Sequence, residues 1–592
     1  MLFSAPSLLI VAASFGAAQA LPRACRCLYG DPCWPPEAEF ALLATQVSQP
    51  LIQPRPPASA CYPIDSPSGN CTDVVSNWYD GNWRADQVGS MQSPNFETYI
   101  FRNDTISACF LNTTLGFPCT QGSVPVIGVD ARTPEDVQAA VKFAASHNLR
   151  LVVKNTGHDF LGRSAARGGF MVWTHQMKNI TFTDSFVPAG APDTEVYENA
   201  LTLGAGVQWH EAYDAAHSRN VVVVGGVSAG GSVGAAGGWV QGGGHSALAP
   251  AYGLGVDNVL QLTVVTAGGD HLTANSHQNA DIFWALRGGG GGTYGVVTSV
   301  TYKTRPSTPV IASFFETSIN STTTGPTPVL EKLFEEFVRV CPAFSDAGWG
   351  GYALLTPASE GATLGLQFFF IAPNISSAQA NDSLAPFFGF ANDLASKSTI
   401  ENGGALQILA NFSLEVDSFY TWATTYLHPG SQVGSNTELG SRLIPRDVIE
   451  KDYKKVAQAV LPFGSGTGFY LVAGGAVSKA DPSSTGLNPA WRKALIHTVF
   501  GATWPDGTPV PGIRQAEEEV KKGLANLRAV APNSGAYFNE ASLFEPNPQV
   551  TFFGSHYKKL RSIKKKYDPS DLFLVAKGVG SEDWDDSLNC RK

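Results

Sequence analysis

Apolar positions between residues 124 and 154 follow two periods in succession. "VPVIGVD" is a short apolar run of strand type, and in "TPEDVQAAVKFAASHN" Val137, Ala140, Val141 and Ala144 recur at helical spacing before "LRLVV" returns to a strand. Thr133 stands where a helix N-cap belongs, Pro134 at the first helical position and Asp136 where a capping box places an acid, with His147-Asn148 at the end. The order is β-α-β. Strand formers return as "VVVV" at 221–224, "VLQLTVVTAGG" at 259–269 and "YGVVTSVTYKT" at 294–304, separated by glycine-rich loops. Composition shifts across 306–330, which predicts a domain boundary. Beyond it, alternating segments such as "GWGGYALLTP", "ATLGLQFFFIAP", "TGFYLVAGGAVS" and "ALIHTVFGATW" predict an antiparallel sheet, with helices such as "RQAEEEVKKGLANLRAV" on one face. The basic run Lys558, Lys559, Arg561, Lys564, Lys565, Lys566 alternates with Tyr557, Leu560, Ile563 and Tyr567, as on a solvated helix face over a buried stripe that stops before Pro569.

Composition adds compartment and partner class. At 592 residues, with 43 % hydrophobic and 15 % charged residues, the chain is long enough for two joined domains around a large ligand. Its net charge of −10 opposes nucleic acid and anionic membranes as partners. Residues 1–20 have an apolar centre followed by Ala18-Gln19-Ala20, the pattern of a cleaved secretory signal, and no later run is long enough to span a bilayer. Seven of the nine cysteines (Cys25, Cys27, Cys33, Cys61, Cys71, Cys109, Cys119) precede residue 120, which predicts disulfides stapling a 21–120 extension; Cys341 and Cys590 stand apart, and an odd total leaves at least one thiol. Sequons at Asn70, Asn103, Asn112, Asn179, Asn320, Asn374, Asn381 and Asn411 agree with export and glycosylation.

Three chemistries compete for the glycine-rich stretches. Gly290, Gly292 and Gly295 satisfy GxGxxG, but they follow the helix-like "DIFWALR" and lead into a strand, the reverse of a dinucleotide fingerprint. Gly226-Val227-Ser228-Ala229-Gly230 follows a strand and matches a nucleophile elbow, so a serine hydrolase using Ser228, with Asp257 as its acid, is one alternative; Gly230-Gly231-Ser232-Val233-Gly234 matches the same pattern. The whole of 225–253, with few charges and interrupted by Trp239, Val240, His245 and Leu248, best suits a loop whose bare backbone approaches a flat, phosphate-bearing ligand. No HExxH and no Cys/His cluster outside the extension suggests a metal. His158 stands out because it sits at a strand end between Asn155-Thr156-Gly157 and Asp159.

"TPEDVQAAVKFAASHNLRLVVKNTGHDFLGRS" resembles the vanillyl-alcohol-oxidase (PCMH) type of FAD-binding domain, and "YFNEASLFEPNPQVTFFGSHYKKLRSIKKKYDPSDLF" resembles the berberine-bridge-enzyme type of C-terminal segment. "KNTGHDFLGRS", "WTHQMK" and "GGWVQGGGHSALAPAYGLGVDN" are most similar to the fungal branch that includes isoamyl alcohol oxidase and secondary-metabolite oxidases. The resemblance implies an α+β protein: a two-part FAD-binding domain from 121–305 and a returning 535–592 segment, plus an antiparallel-sheet substrate domain at 310–530. It implies FAD bonded covalently to His158. Lys154, Asn155, Thr156, Gly157 and Asp159 would surround the pyrophosphate, and Gly226, Gly231, Gly234, Gly243, Gly244, His245, Gly253, Val297 and Asn539 the remainder. The second, cysteinyl tether of many relatives would fall at Gly237, and no cysteine lies between Cys119 and Cys341, so one histidyl link is expected.

The implied reaction is oxidation of an alcohol to a carbonyl, with dioxygen reoxidising the flavin, in the secretory pathway. Its partners would be a small-molecule substrate and O2, and no metal. The family's C-terminal Asn-Tyr pair is Asn539-Glu540 here, so Glu540, with a carboxyl raised by burial, joins Tyr470 and Asn539 as catalytic candidates; Tyr420 and His497 lie on segments able to face the ring. An oligosaccharide oxidase and a redox-inactive flavin-binding protein are the remaining alternatives.

Overall fold

The computed structural model of the chain describes residues 25–322, 325–356, 364–427 and 433–592, so the 1–20 leader lies outside the described residues. The β-α-β unit forms with the expected cap. Helix Pro134–Ser146 is closed by the Thr133 hydroxyl, which accepts from the Asp136 N–H at 3.3 Å, while the Asp136 carboxylate accepts from the Thr133 N–H at 3.0 Å. Its strands Ile127–Asp130 and Leu151–Lys154 are not neighbours: Phe170–Trp173 lies between them, parallel to both. That short strand was missed, as were Ile180–Phe186 and Tyr197–Gly204. The last two join His271–Ala274, Val259–Val265 and Val296–Tyr302 in a five-stranded antiparallel sheet. Ile180–Phe186 has no buried residue and alternates too weakly to read as a strand.

The 306–330 stretch holds the first strand of a further sheet. Val310–Asn320 pairs on both sides within a seven-stranded antiparallel sheet, in the order 405–416, 310–320, 365–373, 350–356, 468–470, 494–504, 436–445. One face of this sheet carries helices Pro328–Asp346, Ser377–Lys397, Arg446–Val460 and Val510–Val530 over a core that includes Phe315, Phe337, Phe368 and Phe370. Alternation sends the intervening side chains the other way. Tyr352, Leu354 and Phe369 line a cavity on the face without helices, while Ala353, Leu355 and Phe368 are fully buried under the helices.

The C-terminal segment returns to the first half of the chain. Helix Tyr557–Tyr567 keeps most of its basic face outward, with one correction: the Lys564 ammonium is buried, paired with Asp568 and donating to the Thr293 and Phe573 carbonyls, so it ties the segment down. The Arg150 guanidinium donates to the Leu574 carbonyl. Disulfides Cys27–Cys33, Cys61–Cys71 and Cys109–Cys119 staple the extension as expected. Cys590 is not isolated: it bonds Cys25 across 565 residues, a closure that local spacing could not suggest, and Cys341 is the buried free thiol. No helix among the described residues is long and apolar enough to cross a membrane.

A crosslink over so long a loop removes chain entropy from the unfolded state. Cys590→Ser is expected to cost about 2–5 kcal/mol, the usual range for loss of a native disulfide. It should lower the thermal midpoint and open the C-terminal segment to limited proteolysis, while a Cys341→Ala exchange should leave that segment closed.

Candidate functional site

Two cavities meet at His158 and Val233. The first, a cleft, lies between the 151–164 segment, the glycine-rich loop and the Gly291–Val297 turn. Asn155, Thr156, Gly157, His158, Asp159, Gly234 and Val297 line it. Backbone crowding explains the glycines: a Cβ on Gly234 would stand 2.2 Å from the Asn155 amide nitrogen, and Gly292 holds φ +72°, which side chains disfavour. The GxGxxG run, in the wrong order for a dinucleotide fingerprint, still contributes Gly291, Gly292 and Gly295 to the wall.

Lys154 is not in the cleft. Alternation along the strand turns Val153 and Asn155 toward it and Lys154 away, where its ammonium donates to the Gln87 and Val88 carbonyls of the extension at 2.7 and 3.1 Å. Gly226 and Gly244 face Trp239, Gly231 packs on His210, Gly243 on Leu487 and Gly253 on Asp257, so these five shape the loop without lining the cleft. The loop also holds two single helical turns, Gly238–Gln241 and Ala249–Tyr252, within a stretch that composition marks as irregular. Arg163, Gly238 and Gln241 line the cleft and were not singled out, although the "KNTGHDFLGRS" and "GGWVQGGGH" stretches contain them.

Three buried polar atoms on the cleft wall, Asn155 Oδ1, Arg163 Nη1 and Gln241 Oε1, have no hydrogen-bond partner. A buried unpaired donor or acceptor costs about 1–3 kcal/mol. Such atoms, one on a guanidinium, together with a glycine-lined wall, fit a large phosphate-bearing ligand. Asn539 touches this wall from the C-terminal segment. Its amide donates to the Gly238 and Trp239 carbonyls at 2.8 and 3.2 Å and to the Tyr537 hydroxyl, and its oxygen accepts from Arg163 Nη2 at 3.2 Å.

The second cavity, about 430 Å³, opens on the face of the seven-stranded sheet without helices and is lined by His245, Tyr352, Phe369, Tyr470, Thr503 and Glu540, among others. Glu540 accepts from His245 Nε2 at 3.0 Å and His497 Nε2 at 2.8 Å. A carboxylate only accepts, so both imidazoles carry their proton on Nε2, and both Nδ1 atoms are buried without a partner. Burial alone would raise the Glu540 carboxyl, but the charge and hydrogen bonds of the two imidazoles outweigh it and hold the group well below the usual carboxylate range. This reverses the expectation of a raised carboxyl: the sequence could not show that two distant histidines converge on it. Burial, then the Glu540 charge, pushes the Tyr470 phenol up, so it stays protonated. His245, His497 and Glu540 could also surround a cation. However, ligating histidines ordinarily donate their other N–H to an acceptor, and neither does here. Tyr420 lies elsewhere, its hydroxyl on Asp214 and its ring stacked on His217.

The serine-hydrolase geometry is not formed. Ser228 lines the second cavity, but its hydroxyl accepts from the Val233 N–H, and Asp257 is held by the Arg492 guanidinium at 2.7 and 2.8 Å. The histidine near the elbow, His158, bonds Ser232 instead, Nε2 to Oγ, at 2.7 Å.

A β-α-β cofactor half closed by a returning C-terminal segment, set against an antiparallel sheet with a chamber between, is the architecture of a flavoprotein oxidoreductase. Residues 125–275 match the FAD binding domain family and 536–580 the berberine and berberine-like family. An uncharacterized FAD-linked oxidoreductase of Arthroderma benhamiae is 38 % identical over 97 % of both chains, and FAD-linked oxidoreductase ZEB1 of Gibberella zeae is 36 % identical over 95 % of this chain and 93 % of its own. The crystal structure of the VAO-type flavoprotein MtVAO713 from Myceliophthora thermophila C1 superposes with a TM-score of 0.83 at 30 % identity, covering 96 % of this chain and all of that one. The chain belongs to the VAO-type FAD-linked oxidoreductases with a berberine-like C-terminal segment, and is an FAD-dependent oxidoreductase.

Arg163→Ala removes the one cationic side chain on the cleft wall and a bond to Asn539. A charge-assisted hydrogen bond is worth about 1.5–3 kcal/mol, so the variant should hold FAD 10- to 100-fold more weakly, as read from the flavin-to-protein absorbance ratio after dialysis in a His158→Ala background.

Proposed function

We propose that the protein oxidises a bulky, uncharged, largely apolar alcohol to a carbonyl and passes the electrons to dioxygen. The observation that carries this reading is the chamber itself. It meets the cleft at His158, and its described lining has no Lys, Arg, Asn or Gln. Both oxygens of its one carboxylate already accept from imidazole N–H groups. Such a wall carries no Lys or Arg for an anion, and beside its Ser, Thr and Tyr hydroxyls Phe160, Leu354, Phe369 and Leu439 suit an apolar skeleton that bears a hydroxyl. This favours a bulky apolar alcohol, of the kind handled in fungal secondary metabolism, over the carbohydrate alternative.

Asn155, Thr156, Gly157, Asp159, Arg163 and Gly234 would hold the FAD, with His158 as its covalent tether. Bound FAD supplies the two-electron acceptor. The chain's own residues deal with the proton. His245 reaches the chamber with Nε2–H fixed on Glu540, which leaves the Nδ1 lone pair to accept the substrate hydroxyl proton. Glu540 then acts as the anion that orients this imidazole and stabilises it once protonated. A carboxyl held so far down is itself a weak base. His497, fully buried outside the chamber lining, secures the second carboxylate oxygen. Tyr470 donates a hydrogen bond to the substrate oxygen, and Asn539 positions the cleft wall through Gly238 and Arg163.

In this reading residues 121–305 with 535–592 serve the cofactor, 310–530 serve the substrate, and residues 1–20 direct the chain to the secretory pathway, where the four disulfides form. Of the eight sequon asparagines seven are exposed and Asn411 is half-buried, which suits glycosylation there.

Anaerobic bleaching of the flavin by a panel of alcohols tests the assignment. Apolar alcohols should bleach it and oligosaccharides should not; a yellow protein that no alcohol bleaches would favour the redox-inactive reading. His245→Gln should slow bleaching by about 100-fold or more, the usual scale of general-base loss, with FAD retained. In Glu540→Gln the anion that orients His245 is lost, so bleaching should slow while FAD is retained. An unchanged rate would remove the carboxylate from this role.

A further inference from the structure

We infer that Ser232 is a positioning residue for cofactor attachment: its hydroxyl holds His158 by Nε2 and so turns Nδ1 toward FAD. The inference rests on the proposed histidyl tether and goes beyond it by naming the group that orients the imidazole. Ser232 is fully buried, and its Oγ lies 2.7 Å from His158 Nε2. Its position is fixed from behind: Gln208 Nε2 donates to the Ser232 carbonyl at 3.0 Å and to Asn82 Oδ1 at 3.0 Å, while Lys178 holds the Gln208 oxygen at 3.1 Å. The backbone on both sides of Ser232 is also held. Val233 N–H donates to the Ser228 hydroxyl, and Val233 and Gly234 line the cleft. The hydroxyl therefore cannot follow the imidazole elsewhere. The His158 ring is held at one nitrogen where the two cavities meet.

An imidazole can attack only through a nitrogen that has a free lone pair. The proposal assigns the proton of the 2.7 Å pair to Nε2, donated to Ser232 Oγ, and that leaves Nδ1 as the nitrogen with the free lone pair. Burial lowers His158 to about 4, the Glu540 charge opposing, so the ring is neutral and nucleophilic at ordinary pH. Attachment at Nδ1 balances as follows. A proton leaves the C8 methyl group of FAD, the Nδ1–C8α bond forms, the Nε2 proton departs by way of the Ser232 hydroxyl, and two electrons remain on the isoalloxazine. Dioxygen takes those two electrons with the two protons and leaves as hydrogen peroxide, so one O2 is consumed per tether formed.

Two measurements on the full-length chain test this. In the first, protein produced under riboflavin limitation is mixed with FAD in air, and tethered flavin is followed by in-gel fluorescence. Ser232→Ala should attach FAD at least 10-fold more slowly than wild type while binding it noncovalently with the same affinity, and Ser232→Thr, which keeps the hydroxyl, should recover most of the rate. Ser232→Ala tethering at the wild-type rate overturns the inference, while the tether itself stands if His158→Ala still abolishes attachment; FAD released from wild type by acid overturns both. In the second, the flavinylated peptide from wild-type protein is isolated and the substituted nitrogen identified by NMR, a readout independent of how the variants fold. Substitution at Nδ1 is expected, and substitution at Nε2 would overturn the proposal.

Discussion

A carboxylate stays ionised inside a protein only when its partners replace the water it has lost, and Glu540 meets that condition with two imidazole N–H groups. The three residues come from the glycine-rich loop (His245), an inner strand of the seven-stranded sheet (His497) and the returning C-terminal segment (Glu540). Their meeting requires the three parts of the fold to be docked in one register. Tyr537, whose ring centroid lies 5.3 Å from that of His245 and 5.6 Å from that of His497, packs the same junction, and its hydroxyl holds Asn539. The cluster therefore joins cleft to chamber as well as carrying the proposed proton chemistry. Breaking one of its hydrogen bonds would strand a buried charge, which costs more than an ordinary contact.

The cleft obeys the opposite rule. Both Glu540 oxygens are satisfied by protein N–H groups, whereas Asn155 Oδ1, Arg163 Nη1 and Gln241 Oε1 on the cleft wall are left without protein partners. Three such atoms converging on one glycine-lined cleft are explained by a ligand that supplies the missing bonds. The two halves of the site thus differ in kind: the carboxylate is held by the protein alone, and the cleft wall is completed by FAD.

Local signals in the sequence were enough for the capped helix at 134–146, the antiparallel sheet with helices on one face, and the segment carrying Asn155 to Asp159, because each depends on residues within a few turns of one another. What remained hidden depends on long-range geometry. The Cys25–Cys590 bond joins opposite ends of the chain, and His245 and His497 lie 295 and 43 residues from the carboxylate they hold. Lys154 illustrates the limit most directly. Its place in "KNTGHDF" suggests a phosphate ligand, and only strand alternation, with the extension waiting on the far side, shows that its ammonium points away. Phe170–Trp173 was missed for a similar reason: four residues that are buried on both faces show no alternation.

The cysteine-rich extension then has a function its composition does not reveal. Besides receiving the Lys154 ammonium at Gln87 and Val88, it holds the turn before His158 directly: Gln92 N–H donates to the Gly157 carbonyl at 3.1 Å and Gln92 Nε2 to the Thr156 carbonyl at 3.0 Å. Burial pulls Lys154 down to about 7 and pushes Glu97 up to about 7, with Arg84 bonded to Glu97 at 2.7 Å and to the Met91 carbonyl. These charged groups are affordable in the interior only because backbone carbonyls and one another satisfy them, so the network is rigid or it is not formed. Its rigidity is passed through Gln92 to the main chain at Thr156 and Gly157, and so to the angle at which His158 enters the cleft. A segment that looks like a disulfide-stapled appendage is in this sense the outer wall of the cofactor site, and the three short disulfide loops keep that wall in place from a distance.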